Sequence, residues 1–154
     1  MTQIVNVTKI IKVMDSKFYV SLEAARLLKE KGYDRECIAY YQYEIFHPYS
    51  VELFKLSINN KNAAPPYMEQ YSAPSKAEAI DWLESKGIIV ELSYNDRPHK
   101  AFSEWEYFVY AYDKDRWLEA VVCSREENNY YNTILEAEEA AIIKACELLN
   151  GKEE

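Results

Sequence analysis

Glycine is nearly missing from this chain: Gly32, Gly87 and Gly151 are the three among 154 residues. Each follows a helical pattern, where a left-handed residue is needed to stop the helix. None remains for a phosphate-cradling loop of the P-loop or dinucleotide type. Histidine is scarcer still. His47 and His99 both lie beside proline, and no H-x-x-x-H or H-E-x-x-H spacing occurs. They read as loop residues, and a zinc site of the usual kinds lacks its ligands. Cys37, Cys123 and Cys146 are odd in number, widely spaced and without a C-x-x-C pair. They read as reduced, buried thiols rather than as a disulfide framework or a metal site. No cofactor is expected.

No apolar run approaches the roughly 20 residues that a membrane helix needs. Asn6, Thr8, Lys9 and Lys12 interrupt the apolar N-terminal segment, which therefore does not read as a signal peptide. The expectation is a cytoplasmic protein without a membrane segment. Hydrophobic residues make up 49% and charged residues 29%, too apolar a balance for disorder. The net charge of −8 is unevenly spread: residues 1–72 carry nine basic and eight acidic groups, residues 73–154 nine and eighteen. Phosphate binding needs clustered cations, so nucleic acid is disfavoured as a partner.

Periodicity and turn chemistry predict an α+β fold with about three helices and an antiparallel sheet. The length suits a single domain over 1–154, with 1–72 and 73–154 as candidate sub-units. Ile4–Val13 reads as a strand. Ser21 caps a helix that Gly32 ends, with Leu22, Ala25 and Leu28 on its inner face. Cys37–Tyr43 reads as a strand, and Val51–Ile58 as a short strand within the proline-interrupted segment 45–74. Ser75 and Glu78 form a capping box for a helix that runs to about Lys86, with Ala79, Ile80, Trp82 and Leu83 inward. Ile88–Tyr94, Glu104–Tyr112 and Arg116–Ser124 form a meander. Thr133 and Glu136 make a second capping box, opening a helix over Ile134–Leu149 in which Ile134, Ala137, Ala141, Ala145 and Leu148 share the apolar face, with Ile142 beside them.

Residues 75–150 thus follow the α-β-β-β-α order of a double-stranded-RNA-binding domain. Such a domain needs basic residues at the start of its last helix. Here that turn carries Glu136, Glu138 and Glu139, which argues against RNA. The pattern Glu23-Ala24-x-x-Leu27-Leu28-x-x-Lys31-Gly32 recurs as Glu78-Ala79-x-x-Trp82-Leu83-x-x-Lys86-Gly87. Two related helix–strand units would produce it, and so would ordinary helix chemistry.

Tyrosine is abundant, with fourteen residues. It suits half-buried sheet positions, and it also suits binding faces because it offers contact area at low entropic cost. The candidate interaction surface is Tyr41, Tyr43, Tyr49, Tyr67, Tyr71, Tyr110 and Tyr112. No catalytic constellation is evident, and Cys37 is the least implausible nucleophile. The capped helix over Glu23–Tyr33, the segment Ala73–Tyr94 and the final Tyr131–Leu149 helix resemble a group of small uncharacterised proteins encoded by prophages and mobile elements of gut bacteria. That resemblance covers about half the chain and implies an accessory role with no known activity. The leading expectation is a non-enzymatic protein-interaction module with an unknown protein partner. The alternatives are an acidic anti-defence inhibitor imitating nucleic acid and a small hydrolase.

Overall fold

The computed structural model describes residues 16–48, 51–52, 55–56, 59–95, 104–111, 122–127 and 129–149, with residues 51–52 and 55–56 described by backbone alone. The fold is α+β, and the chain divides into two compact units, 1–75 and 76–154. The expected strand Ile4–Val13, His99 and Tyr112 lie outside the described residues, as does most of Arg116–Ser124. Among the described residues no helix is long and apolar enough to cross a membrane.

In the first unit, helix α1 spans Leu22–Glu30. Ser21 Oγ accepts from Ala24 N at 3.2 Å, the expected cap. At the far end Gly32 has φ +87°. Tyr33 N donates to Leu28 O at 2.9 Å and Gly32 N to Lys29 O at 3.0 Å. This is the paired closure that a left-handed glycine allows, with Tyr33 and Leu28 both buried. A three-stranded antiparallel sheet follows, in the order β2 (Ile45–His47), β1 (Tyr40–Gln42), β5 (Gln70–Ser72).

Three expectations are corrected here. The strand predicted over Cys37–Tyr43 is confined to Tyr40–Gln42, because Cys37 is held in an isolated bridge to Asn59 and Tyr43 turns the chain. The single strand over Val51–Ile58 is instead a small hairpin, β3 (Val51–Glu52) with β4 (Lys55–Leu56), in which Glu52 lies opposite Lys55. His47 is a strand residue rather than a loop residue, stacked on Tyr40 with ring centroids 4.8 Å apart.

Ser72 is fully buried, and its Oγ has no hydrogen-bond partner among the described residues. Its backbone N donates to Asn62 Oδ1 at 2.8 Å, so the strand is held without the hydroxyl. An unpaired buried hydroxyl costs about 1–3 kcal/mol. Ser72→Ala is therefore expected to stabilise the protein by about 1 kcal/mol. Urea denaturation checks it, and a loss of stability would show that the hydroxyl has a partner.

In the second unit, helix α2 spans Lys76–Ser85 and helix α3 spans Ile134–Leu149. Between them lies an antiparallel sheet of β6 (Ile88–Asn95), β7 (Glu104–Ala111) and β8 (Val122–Cys123). The α-β-β-β-α order is as expected. Trp82 and Leu83 from α2, Ile88 and Val109 from the sheet, and Ala137, Ala141, Ile142, Ala145 and Cys146 from α3 form the core. Alanines spaced four apart bring α3 close to the strands. The second capping box is present: Glu136 N donates to Thr133 Oγ1 and Thr133 N to Glu136 Oε2. Ile134, expected inside, is 39% exposed at the first helical position, and the buried face extends through Cys146 instead. Ile80, also expected inside, is only half-buried.

The unforeseen member of this core is Tyr107, whose ring centroid lies 6.0 Å from that of Tyr131. Burial first, then the charges around it, Glu127 and Glu147 included, raises its ionisation well above the ordinary value. Burial raises Tyr131 as well. A group whose folded pKa is raised keeps its proton while the unfolded chain loses it. Its contribution is therefore whole below the unfolded value of about 10 and is lost as pH rises beyond it. Stability should fall steeply above about pH 10, and less steeply in Tyr107→Phe. Denaturation midpoints measured across the alkaline range test this, and equal slopes for both proteins would contradict it.

Candidate interaction surface

The β1–β2 connection is two residues long, and such hairpins favour a turn with φ > 0 at both central positions. The residues best suited to it are Asn and Gly. This chain places Tyr43 (φ 48°) and Glu44 (φ 67°) there. A side chain in the left-handed region costs roughly 1–2 kcal/mol, because Cβ crowds the following carbonyl. Glu69, just before β5, is also left-handed at φ 47°. Gln42 is paired with both Ile45 and Gln70, so the Tyr43–Glu44 turn and the approach of residues 67–69 lie at one end of this sheet. All three non-glycine residues with positive φ among the described residues are gathered there.

The same end carries exposed apolar side chains. Tyr43 is 57% exposed, Ile45 62% and Tyr67 78%. Glu44 accepts a hydrogen bond from Arg26 Nη2 at 3.2 Å, and Gln70 Nε2 donates to Gln42 Oε1 at 3.4 Å. The turn is thus tied down while its tyrosine stays outside.

The other expected surface residues have different roles. Tyr41 is half-buried: its hydroxyl donates to Val20 O at 2.9 Å and its ring packs 5.3 Å from Phe46. Tyr71 lies beneath α1, with Lys29 Nζ 4.9 Å and Arg26 5.7 Å from its ring centroid. Both brace the first unit rather than stand free, because they share a sheet row with Phe46 on the side facing α1. Tyr110 belongs to the second unit, half-buried beside Phe108. Burial first, then the charge and hydrogen bond of Glu91, raises its ionisation. Tyr49 and Tyr112 lie outside the described residues.

Ile45 was not legible as a surface residue, since an isoleucine in a short apolar strand reads as core. Lys61 was equally hidden. It is 5% exposed, with its ammonium 5.0 Å from the Tyr40 ring centroid. Among titratable groups of chemical interest, Cys37 is buried and its Sγ lies 3.6 Å from Tyr33 Oη, a packed thiol within the core. Cys123 and Cys146 are buried and form no disulfide. Among the described residues no group of three or more His, Cys, Asp or Glu side chains could hold a metal ion.

Glu106 is a further buried charge, 2% exposed on β7 and held bidentately by Arg125 at 3.0 and 2.7 Å. The fork geometry satisfies both carboxylate oxygens, so the pair reads as a brace between β7 and the turn after β8. No family model, curated protein or solved structure matches the chain.

Proposed function

We propose that this protein is a non-enzymatic protein-interaction module that engages its partner through the hairpin end carrying Tyr43, Ile45 and Tyr67. The observation that carries this reading is the coincidence of backbone strain with exposed apolar side chains. Strained left-handed residues persist where the surrounding structure holds them, and they concentrate at functional positions. A tyrosine at a turn position that favours asparagine adds nothing to the fold and supplies a rigid, amphipathic contact. An accessory role in a mobile element of a gut bacterium is part of the same proposal, supported by the motifs of Glu23–Tyr33, Ala73–Tyr94 and Tyr131–Leu149.

Affinity capture from a gut-bacterial lysate tests it, with wild type set beside the double variant Tyr43→Ala/Tyr67→Ala. Specific capture by the wild type, lost in the variant, is expected. Identical capture by both proteins, or by neither, overturns the reading.

A further inference from the structure

A second surface lies on the outer edge of β6 and is independent of the hairpin end. The direction of its main-chain groups follows from the bonds of β7. Trp105 and Tyr131 exchange N–H···O bonds at 2.8 and 2.9 Å, and Ser124 N donates to Tyr107 O at 3.0 Å. Successive residues of a strand aim their main-chain groups to opposite sides. Trp105, Tyr107 and Val109 therefore face β8, whereas Glu106, Phe108 and Tyr110 face β6. Their partners on β6 are Ser93, Glu91 and Ile89. Val90, Leu92 and Tyr94 accordingly present their N–H and C=O groups outward. Among the described residues, β6 is bonded to a strand on one side alone.

Edge strands are usually protected from pairing by lysine, proline, a bulge or shortness. This edge is eight residues long and reads Ile-Ile-Val-Glu-Leu-Ser-Tyr-Asn, with one charge and none of those devices. Val90 and Leu92 are half-buried and Tyr94 is 49% exposed, so part of the edge's apolar surface meets solvent.

We infer that β6 pairs antiparallel with β6 of a second copy, Leu92 opposite Leu92. The register follows from the chain itself. Outward-facing residues must meet one another, which leaves pairings centred on Val90, Glu91, Leu92 or Ser93. Centring on Val90 drives the end of each strand past Gly87 into the close of α2. Centring on Glu91 sets two carboxylates opposite each other. Centring on Ser93 shortens the bonded overlap. Centring on Leu92 joins Leu92 to Leu92 and Val90 to Tyr94 twice over, about six main-chain hydrogen bonds at two per bonded pair. Glu91 then meets Ser93, so the single charge on the edge faces a neutral hydroxyl. This self-complementarity is what a twofold interface requires, and it selects a second copy over an unrelated strand.

Light scattering of the full chain is expected to give twice the 18.1 kDa chain mass. Tyr94→Pro removes an outward N–H and leaves the β6–β7 ladder bonded. It should return the protein to single-chain mass with unchanged circular dichroism. Residues 91 and 93 form a non-bonded pair in this register, close enough for a disulfide. A mixture of Glu91→Cys and Ser93→Cys proteins should therefore cross-link on oxidation, whereas neither should cross-link with itself. A single-chain mass for the wild type overturns the inference. So does an association that survives Tyr94→Pro, or that cross-links through Glu91→Cys alone.

Discussion

Trp82→Ala is expected to remove about 3–5 kcal/mol of folding free energy, the cost of deleting a large buried aromatic side chain. Trp82 is 2% exposed and stands with Leu83 and Ala79 on the inner side of α2. That helix has ten residues, too few to be stable in water without tertiary packing. Its attachment therefore depends on the side chains it buries. A domain of this size has a total stability of about 5–15 kcal/mol, so the loss is a large share of the whole. Urea denaturation followed by circular dichroism measures it. Trp82→Phe, which keeps most of the apolar volume, should cost clearly less. A loss below about 1 kcal/mol for Trp82→Ala would mean that α2 is held elsewhere.

Tyr43→Asn combined with Glu44→Gly is expected to act in the opposite direction on stability and to abolish partner capture. Both positions are left-handed. Glycine adopts that region without penalty and asparagine does so readily, so the pair should gain about 1–2 kcal/mol. Against this stands the lost contact between Arg26 and Glu44, an exposed pair whose contribution is small in water. A more stable protein that no longer captures its partner would separate the two roles of the turn, folding and recognition. An unchanged or lowered stability would show that the turn is not strained, and the argument for its function would fail with it.

The buried Glu106 offers a contrast in kind. Arg125 keeps nearly half its side chain in solvent, whereas Glu106 is shielded. Arg125→Ala should therefore destabilise the protein more than Glu106→Gln, since it strands a carboxylate away from water.

The helices were legible because their chemistry is local. Ser21, Gly32, Thr133, Glu136 and the four-residue alanine spacing of α3 act within one or two turns of chain, and each does what its residue type dictates. The α-β-β-β-α order of the second unit followed from the same local signals, as did the burial of all three cysteines. The tyrosines were a different matter. Tyr41 and Tyr43 are two residues apart and identical in chemistry, yet one is anchored to Val20 and the other stands in solvent. The difference lies in a two-residue reversal that no glycine or asparagine announces, and in β5, which meets Gln42 from 28 residues away. Which aromatic ring is covered depends on what packs over it, and those neighbours come from distant parts of the chain. The residue sequence by itself determined where helices start and stop and which chemistries lack their residues. Tertiary structure alone decided which tyrosines are exposed and on which side β6 is bonded to β7, because burial and strand pairing are properties of elements brought together from far apart.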